Sequence, residues 1–231
     1  MCRRLGTPAV KVRTSDRGQD YLGLHVLADD DPRWNRDPVE QAEAACAAKV
    51  PVIQLRAKHS TDEEILRWAH AIRRLTTNSG TRFVVNDRFD LALLAKADGV
   101  HLGQGDLPPA ALPAQARTAL AIGRSTHTPE QLRAASKEDV DYVAFGPVFG
   151  TTSKDSEYDE RGTNALKEAV QLAAPRPLVA IGGIKEQNIG ALTEAGVGGF
   201  AVISVVAGAE NPEQAARGLM QKFGAKRKVV K

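Results

Sequence analysis

The sequence predicts a single-domain α/β protein folded as a closed (β/α)₈ TIM barrel. From residue 21 onward, short runs of valine, isoleucine and leucine alternate with longer alanine-rich amphipathic segments, which is the pattern of βα units around a buried parallel sheet. Eight such units can be drawn, and at 231 residues with 42% hydrophobic content the chain suits one core, a closed barrel commonly taking about 250 residues. The chemically distinctive residues fall just after the strands, where a barrel gathers its functional rim.

The predicted strands are residues 22–28, 50–57, 81–87, 99–103, 119–123, 141–146, 177–183 and 199–204. The helix after the second strand is the clearest, with Ile65, Ala69, Ile72 and Leu75 on one face and a Thr61/Glu64 capping box at its start. Thr128-Pro129 with Gln131, and Asn211-Pro212 with Gln214, repeat that start signal. An open doubly wound sheet would carry a glycine-rich nucleotide loop after its first strand, and ADDDPRWNRD stands there instead. The domain is expected over 21–224, preceded by a disordered extension over 1–20 and followed by a basic tail over 225–231.

Lysine plus arginine outnumber aspartate plus glutamate by 31 to 28, with part of the excess in the terminal AKRKVVK, so no basic stripe for nucleic acid is expected. Cys2 and Cys46 form no disulfide framework, which fits a reducing cytoplasm. No apolar run approaches the ~18 residues of a membrane span, and the polar start lacks the apolar stretch of a secretory signal. A cytoplasmic enzyme acting on small molecules is the expectation, with pairing into a homodimer left open.

At the end of the second strand Gln54, Arg56 and Lys58 alternate, so an extended chain points all three to one side. Two cations and an amide suit a diphosphate, although solvated strand-end charges look the same in sequence. The third strand ends in Asn86-Asp87 and the fourth leads to Asp106. Two carboxylates on neighbouring strands suit magnesium, which completes its shell with water and phosphate oxygens; alone, Asp87 reads as a cap for the next helix. Asp29, Asp30 and Asp31 read as a solvated loop run. Ser125 and His127 follow the fifth strand, the serine as a hydrogen-bond donor to phosphate and the histidine as an orienting group or a base. His25, His59, His70 and His101 show no metal-ligand spacing and receive no chemistry.

The connection over 146–164 bears Thr151, Thr152, Ser153 and Lys154, which are phosphate-binding parts, and a connection this long is usually functional. It is the expected lid. The last two strands end in AIGGI and AVIS, where Gly183 admits backbone amides and Ser204 opens a helix whose N-terminus favours an anion. Two anion sites, and hence two phosphorylated substrates, are inferred.

Taken in order, QLRAK, NDRFDLA, GVHLGQGD, GRSTH, DYVAFGPVFGTTSK, AIGGI and AVIS resemble the thiamine-phosphate synthase family over roughly residues 22–224. The resemblance implies a transferase that joins an aminopyrimidine methyl diphosphate to a thiazole ethyl phosphate, carboxylated or not, giving thiamine phosphate and pyrophosphate. It implies that Gln54, Leu55, Arg56, Ala57, Lys58, Asn86, Ser125 and Lys154 hold the pyrimidine diphosphate. Of these, Arg56, Lys58, Ser125 and Lys154 carry the catalytic roles. Thr151, Thr152, Ser153, Gly183, Ile203 and Ser204 correspond to the thiazole-phosphate site, and Asp87 and Asp106 to the ligands of one Mg²⁺ per subunit. Ser153 stands where threonine is more common in that family, and Lys49 where a glycine commonly precedes the second strand. The alternatives are a thiazole tautomerase of the same superfamily, which needs no diphosphate clamp, and a non-catalytic barrel that binds thiamine precursors.

Overall fold

The computed structural model describes residues 16–150 and 158–227. Strands β1 (Gly23–Asp29), β2 (Val52–Arg56), β3 (Arg82–Asn86), β4 (Gly99–Leu102), β5 (Ala121–Thr126), β6 (Tyr142–Phe145), β7 (Leu178–Ile181) and β8 (Gly199–Val202) pair in parallel in chain order, and β8 returns to β1 to close the barrel. Every predicted strand is present. β5 runs further than the motif suggested, so Ser125 and Thr126 lie within the ladder.

Between the strands run α1 (Pro38–Ala47), α2 (Asp62–Ser79), α3 (Phe89–Leu94), α4 (Ala114–Ala119), α5 (Pro129–Ala135), α6 (Gly162–Ala173), α7 (Ile189–Glu194) and α8 (Ser204–Ala207), and α9 (Pro212–Arg227) closes the described chain. The Thr61/Glu64 box caps α2, and Thr128 accepts from the Gln131 amide at the start of α5. A second full box, Asp37 with Glu40, starts α1, and each such cap contributes about 1 kcal/mol. The unpredicted positive φ of 60° at Lys49 explains why glycine suits that turn, at the rim where β2 begins.

Two apolar layers follow from strand alternation. Outward residues such as Ile53, Leu55, Phe83, Val85, Val100 and Phe200 pack under the helices. Inward residues Val52, Val84, Ala121, Tyr142, Ala144 and Val179, with Tyr21, fill the barrel interior.

Tyr21 belongs to a 3-10 helix, Asp16–Tyr21, that plugs the amino-terminal end of the barrel. Its ring stacks on Tyr142 at 5.1 Å between centroids, and its hydroxyl donates to the Asp98 carbonyl at 3.1 Å. The domain boundary expected at residue 21 therefore falls inside an element: residues 16–20 belong to the fold because Tyr21 needs a backbone to bring it there. At the other end, α9 continues through Arg227 rather than stopping at 224. Residues 1–15 and 228–231, with Cys2, lie outside the described residues. Among the described residues no helix is long and apolar enough to cross a membrane.

Candidate active site

The carboxyl-terminal mouth of the barrel is built from inward positions one or two residues beyond the apolar interior. On β2 the alternation that buries Val52 also turns Gln54, Arg56 and Lys58 inward, and exposure rises along that series from buried Gln54 to half-buried Arg56 to exposed Lys58. On β3, Asn86 follows Val84 by the same parity. Among the described residues neither the Gln54 nor the Asn86 side-chain amide has a hydrogen-bond partner, so both offer donors and acceptors to a ligand. Leu55 and Ala57 instead pack in the outer apolar layer. They can serve a ligand through backbone only.

The predicted carboxylate pair is brought together. Asp87 takes φ 63°, and its amide donates to the His101 carbonyl on the next strand at 2.8 Å. It does not cap the following helix: Arg88 occupies that position, with no side-chain cap. Lys58 Nζ forms an ion pair with Asp87. Burial, and secondarily the neighbouring Asp106 carboxylate, raise the Asp87 pKa, against the lowering effect of Lys58. Asp106 is itself fixed, accepting from the Gly103 amide at 2.6 Å. Among the described residues no group of three or more His, Cys, Asp or Glu converges, so the site offers two carboxylates rather than a cage. That donor set fits magnesium, which takes one or two carboxylates and fills its shell from water and phosphate. The ammonium of Lys58 beside the pair marks where positive charge is favoured.

Ser125 faces the mouth from β5. His101 Nε2 lies 2.8 Å from Ser125 Oγ, and Nδ1 lies 3.1 Å from the Tyr142 hydroxyl. The imidazole thus joins the apolar interior to the polar ring above it. The tautomer protonated at Nε2 donates to Ser125 and frees the serine O–H for a ligand. Sequence reasoning gave His101 no role; its inward parity with Asn86, its register partner, was the available signal. Burial raises the Tyr142 pKa, so its hydroxyl remains a donor.

His127 sits apart from this cluster. Its Nδ1 is 2.5 Å from the Gly146 carbonyl, and its ring stacks on Tyr158 at 4.1 Å. It holds the β6–α6 connection rather than Ser125. Thr151, Thr152, Ser153 and Lys154 lie outside the described residues. The flanks of that expected lid are pinned: Val148 and Phe149 amides donate to the Ile181 and Gly182 carbonyls, and Arg161 and Gly162 amides to those of Pro147 and Val148. A cavity of about 220 Å³ behind His127, between α5 and α6, holds none of the other expected site residues.

On the far side of the mouth Gly183 takes φ 62°. A Cβ there would stand 2.4 Å from the Gly150 carbonyl oxygen and 2.6 Å from that of Phe149. Gly183 is therefore required by the close approach of the β6–α6 connection. Ser204 begins α8, a single turn of four residues, too short for a sizeable summed dipole. What it presents are the Ser204 and Val205 amides, since those of Val206 and Ala207 donate to the Ile203 carbonyl at 3.0 and 2.9 Å. Ile203 is buried with Leu27, Ala207 and Trp34, supporting that turn from beneath.

The expectation that Asp29–Asp31 form a solvated run does not hold for Asp29, which is 1% exposed. β1 continues through it, opposite Arg56 in register, and Arg56 Nη1 donates to Asp29 Oδ2 at 2.5 Å. Asp30 accepts from the Lys58 and His59 amides at 2.8 and 2.9 Å, shaping the turn that carries Lys58.

The family model described as thiamine monophosphate synthase matches residues 24–206. The chain belongs to that family. It is 41% identical to a thiamine-phosphate synthase of Chlorobium luteolum, over 85% of this chain and 91% of that one. It is 43% identical to one of Anaeromyxobacter dehalogenans, over 89% of each. Among solved structures, the thiamine phosphate pyrophosphorylase of Pyrococcus furiosus superposes with a TM-score of 0.78 at 32% identity, covering 90% of this chain and 98% of that one. The matched segment begins on β1 and ends within α8, so it takes in every strand of the barrel and all of the mouth residues described above.

Proposed function

We propose that the barrel mouth joins the pyrimidine diphosphate and the thiazole phosphate through two separate anion sites, as a thiamine-phosphate synthase. The activity itself follows from membership of the family and from relatives of that name. The observation that carries the proposal is Lys58, which ends the series Gln54, Arg56, Lys58 at the carboxyl end of β2, ion-paired with Asp87 of the Asp87–Asp106 pair on the neighbouring strand ends.

Asp87 and Asp106 would hold one magnesium ion, which when bound supplies positive charge to the oxygens of the departing pyrophosphate. Arg56, Lys58 and Lys154 hold the diphosphate and gain most as charge develops on it, which favours the transition state over the ground state. Gln54, Asn86 and Ser125 complete the hold on the pyrimidine diphosphate by hydrogen bonds, Ser125 as a donor to phosphate. The methylene–oxygen bond breaks, the electron-rich ring carries the resulting cation, and the thiazole nitrogen forms the new carbon–nitrogen bond. No protein nucleophile is needed. The apolar interior under the site, Val52, Val84 and Tyr142, excludes water that would otherwise capture the cation. Thr151, Thr152, Ser153, Gly183, Ile203 and Ser204 form the thiazole-phosphate side.

The test is direct: the purified protein is incubated with both substrates and magnesium, and pyrophosphate and thiamine phosphate are measured. Both products should appear in equal amounts and vanish with excess chelator. Absence of thiamine phosphate, with the protein folded and magnesium present, would refute the assignment.

A further inference from the structure

The β1–α1 connection, residues 30–37, lies outside the substrate-binding set assigned above, yet it supports residues on both sides of the mouth. The Asp29 side chain is fully buried (0% exposed) and its Arg56 partner only 13% exposed. Oδ2 accepts from Arg56, while Oδ1 accepts from Trp34 Nε1 at 2.9 Å and from the Asp31 amide at 3.1 Å. The Asp29 backbone is gripped as well, since Gln41 accepts from its amide and donates to its carbonyl. A carboxylate held at so many points cannot swing toward a ligand. What it can do is fix one edge of a guanidinium and leave the remaining N–H donors toward the mouth.

Trp34, the residue that completes this grip, packs its ring with Leu27, Ile203 and Ala207. It also stands against Gly208, where an added Cβ would meet the indole at 3.4 Å. Arg36 ties the same connection to the chain after α8, donating to the Ala209 and Glu210 carbonyls at 2.9 Å each. One short segment thus touches the partner of Arg56 and the underside of the turn that begins with Ser204.

We propose that Asp29 and Trp34 are positioning residues of the transferase: Asp29 presets the Arg56 guanidinium for the diphosphate, and Trp34 supports both Asp29 and the thiazole-phosphate turn. This rests on the reading of Arg56 as a diphosphate clamp.

The probes are inorganic pyrophosphate with magnesium, titrated calorimetrically, and the KM of each substrate. Asp29→Asn keeps the acceptor for Trp34 but removes the charge facing Arg56. It should weaken pyrophosphate roughly 10- to 100-fold, the usual effect of removing an outer partner that orients a binding group, and raise the KM of the pyrimidine diphosphate while leaving that of the thiazole phosphate within about twofold. Trp34→Phe loses the donor and part of the ring, and should raise both KM values. Arg56→Ala should weaken pyrophosphate at least as much, with Asp29→Asn adding little on top of it.

If Arg56→Ala binds pyrophosphate normally, the clamp reading itself fails, and the inference with it. If Arg56→Ala is weak but Asp29→Asn is normal, or shifts only the melting temperature, the positioning role is overturned and the clamp stands. Should Asp29→Asn not fold, Trp34→Phe decides: unchanged pyrophosphate affinity would overturn the proposal.

Discussion

Asp87 and Lys154 carry different parts of the proposed reaction, and single substitutions separate them. Asp87→Ala or Asp106→Ala removes half of the carboxylate pair, so turnover should be nearly abolished while the circular dichroism spectrum stays native; full activity in excess chelator would sink the magnesium role. Lys154→Ala removes a cation from developing charge, and losing one such group typically costs about 3–4 kcal/mol, or roughly 10²- to 10³-fold in rate. His127→Ala should cost much less, because that imidazole is engaged with the Gly146 carbonyl and the Tyr158 ring. A tautomerase would reverse this order, since loss of its base costs roughly 10²- to 10⁴-fold. Single-turnover rates at saturating substrates and magnesium rank the two. A severe His127 defect beside a near-normal Lys154 variant would favour the isomerase.

The turns after β7 and β8 divide the work at the level of elements. Ser204→Ala removes an exposed hydroxyl from the start of a one-turn helix and should weaken the thiazole phosphate alone. Gly183→Val places a branched side chain at φ 62° and into the Phe149 and Gly150 carbonyls. From sequence, that change too should spare the pyrimidine side. The packing indicates otherwise, because the displaced connection leads directly into the segment bearing Lys154. Calorimetric titration of each substrate should find both weakened in Gly183→Val, and a loss confined to the thiazole phosphate would contradict this coupling.

Stability of the whole barrel should depend on pH through His25. This inward histidine donates from Nε2 to the Tyr21 carbonyl at 2.8 Å, and burial lowers its pKa to about 4 from an ordinary 6.5. The unfolded chain therefore binds more protons than the folded one between those values, and stability rises with pH there. The contribution is complete above about 6.5 and is lost as pH falls toward about 4, amounting to roughly 3 kcal/mol at 1.36 kcal/mol per pH unit. His25→Gln can keep the hydrogen bond without titrating. Urea midpoints from pH 7 to 4.5 should fall less steeply for the variant, and parallel slopes would exclude His25 as the cause.

The strand order, the inward parity of Gln54, Arg56 and Lys58, and the carboxylates at Asp87 and Asp106 were readable from sequence, because alternation and βα periodicity are local properties of the chain. Local signals also gave the caps of α2 and α5. The partnerships were not readable. Asp29 meets Arg56 because β1 pairs with β2 in a register that makes them neighbours 27 residues apart in sequence. His101 meets Ser125 because β4 lies beside β5, and neither spacing says so. Tyr21 could be counted as core only once a barrel end existed for it to close. Composition and periodicity thus determined the fold and the rim on which the chemistry sits; the register of the closed sheet decided which charge faces which, because a cross-strand contact depends on the geometry of two segments and is encoded in neither alone.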